Sequence, residues 1–244
     1  MENYRAEFSA VFSARWDLWG RQAWSLVAPY LPSTVRGRTW LDLCCGAGAL
    51  LQIASAGGFD VTGVDRSSHQ LGHAARKAPN ARLIQADIRD LAIPERFDVV
   101  TCMFDSLNYL LRLADIDRAL RAVKRHLKPD GIFVFDVKTG EGFRAERIRV
   151  FKWPEQVVVF EREFDDSNGI HSFAVTGFTA EGPHYKRFEE RHVQRAYEAD
   201  SITERLEKLG WDSLCLDFDT AKKPGRRARR LLFICTIAGS RRSQ

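Results

Sequence analysis

The 244-residue sequence has no apolar run approaching the ~18 residues of a membrane span, so a helical integral-membrane protein is not expected. Its N-terminus shows no basic stretch followed by an apolar signal core, and the expected compartment is the cytoplasm. Cysteine is sparse: Cys44, Cys45, Cys102, Cys215 and Cys235 form no C-x-x-C pair. That excludes the usual zinc-ribbon and redox spacings. All but Cys45 fall in apolar runs with the texture of strands, so they read as reduced core thiols. A large excess of one charge is also missing. Against 32 Asp and Glu stand 37 Lys and Arg, a net charge of +5 that suits no polyanion-binding protein unless the basic residues cluster. One cluster exists, Lys222, Lys223, Arg226, Arg227, Arg229 and Arg230. It is either a solvated loop entering the last strand or a track for RNA or an acidic protein.

What is present is ordinary for a globular chain: 45% hydrophobic and 28% charged residues, enough for one compact α/β domain carrying an insertion. Apolar, β-branched runs at 39–44, 60–65, 81–85, 97–103 and 131–137 alternate with helical periodicity at 47–56, 67–77 and 114–127. The last helix is stopped by Lys128-Pro129-Asp130-Gly131. This alternation predicts a mostly parallel sheet with helices on both faces. Beyond Val137 the period changes to two, at 156–164, 170–179 and 184–195, with Asp166-Ser167-Asn168-Gly169 as a hairpin turn. A three-stranded antiparallel insertion is expected there. A helix at 198–209 and strands at 213–218 and 230–238 close the chain. The expected division is a helical lid at 1–38, a core at 39–142 and 198–244, and the insertion at 143–197. Near the start, Phe8, Phe12, Trp16 and Trp19 recur at three- and four-residue spacing, as on one amphipathic helix. Its aromatic face would dock on the core, cover a cofactor, or do both.

The chemistry concentrates at strand ends. Leu41-Asp42-Leu43-Cys44-Cys45-Gly46-Ala47-Gly48 turns a strand into a helix, where Gly46 and Gly48 let backbone approach a ligand and the helix N-terminus offers free amides. A dinucleotide fingerprint wants a small residue where Leu51 stands, so the leading acid Asp42 favours adenosylmethionine over a nicotinamide. Asp65 ends the second strand, placed to accept two ribose hydroxyls or to cap the next helix, a task Ser67 could take instead. Asp87 follows the third strand in Ala86-Asp87-Ile88, where the acid could accept an adenine amino group while Ile88 covers the ring.

Leu41 to Gly48, Val64-Asp65, Ala86-Asp87-Ile88 and Phe97-Asp98-Val99-Val100 together resemble the ordered motifs of class I S-adenosylmethionine-dependent methyltransferases. The resemblance implies a Rossmann-like seven-stranded sheet whose final strand is antiparallel, with S-adenosyl-L-methionine as cofactor and S-adenosyl-L-homocysteine as product. It implies Asp65, with Arg66 beside it, at the ribose, Asp87 and Ile88 at the adenine, and Asp42 with the Cys44, Gly46, Ala47, Gly48 loop at the methionine moiety. Cys44 departs from the family, which more often has glycine there. Cys102 to Tyr109 lies, in the family, beside the methyl group and acceptor, which brings in Phe104, Asp105 and Tyr109. The segment is unlike the Asn/Asp-Pro-Pro-aromatic signature of base-amino methylation, so a small-molecule acceptor is expected in place of nucleic acid. The layout is similar to small-molecule methyltransferases, including those acting on amino-sugars, and by that likeness Trp16 stands near the cofactor. The insertion would roof the acceptor or form a homodimer contact.

An activated sulfonium needs mainly an aligned acceptor and exclusion of water, so a dedicated base is optional. His171, His184 and His192 in the insertion are candidate bases, each open to a purely structural role, and Tyr109 could orient the acceptor. Asp105 would either bond the cofactor or acceptor or cap the turn after the fourth strand, and the same two roles are open to Asp136. His69 and His73 stand one helical turn apart without further ligands, and no metal is expected.

Overall fold

The computed structural model describes residues 4–13, 17–31, 37–144 and 148–239. Trp16 lies outside them. In chain order the elements are α1 (Ala6–Ser13), α2 (Asp17–Val27), β1 (Thr39–Leu43), α3 (Ala49–Ala56), β2 (Asp60–Asp65), α4 (Ser68–Lys77), β3 (Arg82–Gln85), β4 (Phe97–Cys102), α5 (Leu113–His126) and β5 (Leu127–Lys138). There follow α6 (Gly140–Phe143), β6 (Ile148–Trp153), β7 (Gln156–Asp165), β8 (Ile170–Glu181), β9 (His184–Arg195), α7 (Ala199–Lys208), β10 (Trp211–Asp217) and β11 (Arg230–Ile237).

Seven strands form one sheet in the order β10-β11-β5-β4-β1-β2-β3. β1, β2, β3, β4 and β5 pair in parallel, and β11 runs antiparallel to both neighbours. The chain winds outward from β1 to β3 and then returns to place β4 on the other side of β1. That reversal opens a crevice at the carboxyl ends of β1 and β4, where ligands bind in open α/β sheets. Both sheet faces are covered. One apolar layer joins Leu41, Phe133 and Phe135 to Leu120 of α5 and Leu206 of α7. The other joins Trp40, Val99 and Val134 to Ala23 of α2 and Leu51 of α3.

Two details differ from the sequence pattern. The insertion has four strands, β6-β7-β8-β9. β6 escaped notice because it is an edge strand whose Ile148 and Val150 are 66% and 48% exposed, so its alternation marks no buried face. β5 begins at Leu127, immediately after α5, because Leu127 already pairs with Phe97 before the register shifts at Val99. Of the predicted aromatic helix the described residues give α1 and α2, and residues 14–16 lie outside them. Phe8 on α1 packs with Val158, Phe160 and Val175 of the insertion, joined by Phe12. Trp19 on α2 is half exposed and sits 5.3 Å from Phe104. Among the described residues no helix is long and apolar enough to cross a membrane.

Candidate functional site

A cleft of about 390 Å³ opens at the crevice. Its floor is the turn after β1. Cys44 adopts φ +55°, the left-handed region that favours glycine, so the departure from the family's glycine is accommodated at some backbone strain. Gly48, at φ +78°, begins α3, and a Cβ there would come within 3.0 Å of Cα and Cβ of Ala74. That contact lets α4 close against the turn. Gly48 thus shapes the floor from behind, while Asp42, Cys44, Gly46 and Ala47 line it.

Asp65 and Arg66 form the next wall. The Gly46 and Ser67 amides each donate to one carboxylate oxygen of Asp65, at 2.9 Å. Ser67 caps α4, accepting from the Gln70 amide at 3.3 Å, which leaves Asp65 facing the cleft. Burial raises the Asp65 pKa against the lowering pull of those amides. Asp42 is buried deeper. The Thr101 hydroxyl donates to it at 2.7 Å, and the Trp40 indole N–H donates to that hydroxyl at 2.9 Å. Desolvation pushes the Asp42 carboxyl up to about 7.

The opposite wall is aromatic: Met103, Phe104 and Tyr109 after β4, Tyr4 before α1, and Trp19 of α2. Phe104 and Asp105 both lie in the left-handed region. Their amides donate to the carboxylate of Asp136, the latter at 2.9 Å, which pins the turn. Asp136 is fully buried and its pKa rises to about 6 through desolvation, opposed by the Arg230 charge. Asp105 does not cap the turn with its side chain. Its carboxylate accepts from Arg230 at 2.6 Å and Gln194 at 2.8 Å, off the cleft lining, and makes no side-chain cap. Its pKa is lowered: the charges of Arg230 and Lys138 and these hydrogen bonds outweigh the opposing effect of burial.

Asp87 and Ile88 also lie off the cleft lining. The Arg89 guanidinium grips Asp87 through Nε at 2.9 Å and Nη2 at 2.7 Å, which lowers the carboxyl pKa, while Ile88 is buried. Of the histidines, His171 is stacked on Phe143 at 4.3 Å, and burial, aided by Lys138 and Arg162, depresses it to about 4. It is a neutral packing residue outside the cleft lining. His184 is exposed at a strand start. His192 stands behind Tyr109, with Nδ1 2.9 Å from the phenol oxygen. Among the described residues no group of three or more His, Cys, Asp or Glu is arranged to hold a metal.

Sequence reasoning missed Tyr4, Gln70, Glu190 and Gln194, isolated polar residues with no local motif. It grouped Arg230 with an exposed basic run. Lys222, Lys223, Arg226, Arg227 and Arg229 are exposed, but Arg230 turns inward to Asp105 and Asp136.

A doubly wound sheet, a glycine turn after β1 and acids at the ends of β1 and β2 define a Rossmann-like cofactor-binding core. Residues 41–131 match the model of a methyltransferase domain family. The chain is 32% identical over 206 residues to YqeM of Bacillus subtilis (strain 168), a protein named as a methyltransferase, covering 79% of this chain and 81% of that one. A crystal structure of an S-adenosylmethionine-dependent methyltransferase from Clostridium acetobutylicum ATCC 824 superposes with TM-score 0.81 at 26% identity, covering 96% and 98%. A dTDP-3-amino-3,6-dideoxy-alpha-D-glucopyranose N,N-dimethyltransferase from Streptomyces fradiae is 31% identical over 140 residues, 54% of this chain and 55% of that enzyme. The chain belongs to the S-adenosylmethionine-dependent methyltransferase family and is an enzyme of that class. The cleft fits the cofactor. Each Asp65 oxygen keeps a lone pair after its single amide bond, suited to ribose hydroxyls, and the α3 N-terminus and buried Asp42 suit the carboxylate and ammonium of the methionine end.

Proposed function

We propose that the enzyme methylates an amine nitrogen on a small acceptor of the amino-sugar kind. The observation that carries this is the aromatic wall of Tyr4, Trp19, Phe104 and Tyr109 facing the acid-lined floor in one small cleft. Such a chamber suits a compact acceptor. The likeness to the Streptomyces fradiae sugar N,N-dimethyltransferase supports the nitrogen and the sugar.

When bound, S-adenosylmethionine supplies a methyl carbon already activated by its sulfonium. Asp65 then holds the ribose and, in this proposal, Asp87 exchanges Arg89 for the adenine amino group while Ile88 packs beneath the ring. Arg66 and Phe104, both on the cleft lining, complete the cofactor's surroundings. The aromatic wall excludes water and holds the amine in line with the methyl carbon. Removing both hydroxyl-binding oxygens at Asp65 checks the assignment. Asp65→Ala is expected to weaken S-adenosylhomocysteine binding by ~10-fold or more in calorimetry, since buried charge-assisted hydrogen bonds carry about 1.5–3 kcal/mol. Unchanged affinity would move the cofactor elsewhere. Methylation of dTDP-3-amino-3,6-dideoxy-α-D-glucopyranose, followed by mass spectrometry, checks the acceptor class.

A further inference from the structure

Behind the aromatic wall runs a connected line of polar side chains that cofactor binding does not require. Tyr4 Oη lies 2.9 Å from Tyr109 Oη, and Tyr109 Oη lies 2.9 Å from His192 Nδ1. His192 Nε2 is 3.1 Å from Glu190 Oε1, not aligned as a hydrogen bond. Both tyrosines line the cleft, whereas His192 and Glu190 are 1% and 4% exposed. Phe173 stacks on the imidazole at 4.4 Å and Phe8 lies at 5.3 Å, so apolar rings flank the line. The charged groups that face it are few. Glu190 and Asp105 act on Tyr109, and Asp105 and Asp65 act on Tyr4. Glu190 also accepts the backbone amides of Tyr4 and Arg5, the latter at 3.2 Å, while the Arg5 guanidinium turns to the Glu189 carbonyl.

Burial, reinforced by these carboxylates, raises both phenols. Neither hydroxyl therefore ionises at working pH. Each can pass a proton only by accepting one while donating its own. Imidazole is the side-chain type that takes up a proton in the neutral range.

We propose that Tyr109, assisted by Tyr4, is the acceptor's proton exit and that His192, positioned by Glu190, receives the proton. The inference rests on amine methylation. The acceptor nitrogen forms its bond to the methyl carbon as the carbon–sulfur bond breaks, its electron pair staying on sulfur. The resulting ammonium gives one proton to the Tyr109 oxygen, and the phenol proton passes to His192 Nδ1. A neutral methylamine and an imidazolium beside Glu190 remain. Once His192 returns its proton to solvent and S-adenosylhomocysteine is exchanged for a second S-adenosylmethionine, the restored lone pair permits a second methylation.

The test uses the full chain with dTDP-3-amino-3,6-dideoxy-α-D-glucopyranose as acceptor and Tyr109→Phe and His192→Gln as variants. Both are expected to bind S-adenosylhomocysteine within about twofold of wild type. Both should lose ~10-fold or more in kcat, release mainly monomethylated product, and lose the acidic limb of the pH profile. Tyr109→Phe deletes one oxygen and keeps the ring, so the test does not hinge on His192→Gln folding. A readout free of turnover is the His192 side-chain ¹⁵N signal in the protein alone. The Nδ1 shift, which reports the hydrogen bond accepted from the Tyr109 hydroxyl, should move in Tyr109→Phe, which removes that donor. An unchanged pH profile and product ratio, or a His192 Nδ1 shift indifferent to Tyr109→Phe, overturns the relay. Absence of methylation by wild type, with the Nδ1 shift responding as stated, would refute the acceptor reading and leave the relay standing.

Discussion

At the scale of single residues, burial raises the pKa of both carboxyls that line the cleft, Asp42 and Asp65. Asp42 has a folded pKa near 7 against an unfolded value of ~3.9, so the folded state binds more protons between these limits. Its contribution to stability is therefore fully present below ~4 and is lost as pH rises through about 7. Asp42→Asn keeps an acceptor for the Thr101 hydroxyl and cannot ionise. The variant is expected to be more stable than wild type by about 1–4 kcal/mol at about pH 8, with the difference vanishing near about pH 4, as read from urea unfolding. Its affinity for S-adenosylhomocysteine should fall at the same time. An equal stability difference at both pH values would mean that the Asp42 charge is not what burial opposes. Residues of this kind were legible in the sequence because Asp42 and Asp65 stand beside glycine turns or at strand ends, where local pattern announces a crevice. Tyr4 and Glu190 were not. Their meaning arises from a contact spanning 186 positions, and no local spacing encodes it.

At the scale of elements, the turn after β4 shows how β5 and β11 hold a loop they do not adjoin in sequence. Phe104 and Asp105 occupy the left-handed region because the Asp136 carboxylate accepts both amides and Arg230 ties that acid to Asp105. Asp136→Ala leaves two amides unpaired and is expected to cost about 2–4 kcal/mol in denaturant unfolding at about pH 7, with Phe104 displaced from the cleft and Trp19 fluorescence altered. A loss below ~0.5 kcal/mol would show that the turn holds its shape unaided. On the far side of the cleft, Gly48→Ala would bring a Cβ against Ala74 at 3.0 Å in a backbone already at φ +78°. It is expected to part α3 from α4, destabilising the protein by ~2 kcal/mol or more and abolishing detectable S-adenosylhomocysteine binding in calorimetry. The core strands could be read in advance because their apolar runs are buried on both faces and bounded by glycine, proline or acids. The edge strand β6 could not, because its pairing with β7 sets its ends and no buried face marks it.

At the scale of the whole molecule, α1 bridges the two sheets beside the cleft. Phe8 and Val11 pack on the insertion, the Tyr4 and Arg5 amides reach Glu190 of β9, and Ser67 and Gln70 of the core bond Tyr4 O and Ser9 Oγ at 2.8 and 2.9 Å. Asn108 adds a second tie, donating to the carbonyls of Lys138 and Arg195 from one amide group. The insertion's sheet therefore sits over the core through a short helix and a few polar bonds. An eight-residue helix with these anchors opens more readily than the sheet beneath it, because it has fewer backbone hydrogen bonds and less buried apolar area to lose than a whole sheet. Tyr4 and Trp19 line the cleft, so a cofactor that binds only with α1 in place must stabilise α1 by its own binding free energy. At 100 times its dissociation constant, S-adenosylhomocysteine would add about 2.7 kcal/mol, which slows exchange from the open state by ~100-fold. Amide hydrogen exchange at Phe8 to Phe12 is expected to slow by that factor on addition of S-adenosylhomocysteine, with amides of β9 near Glu190 slowing alongside. In Glu190→Gln the ligand-free exchange of α1 should quicken. Slowing confined to α3 and α4, with α1 indifferent to ligand, would show that the cofactor is held by the core alone and that α1 serves only to pack the insertion.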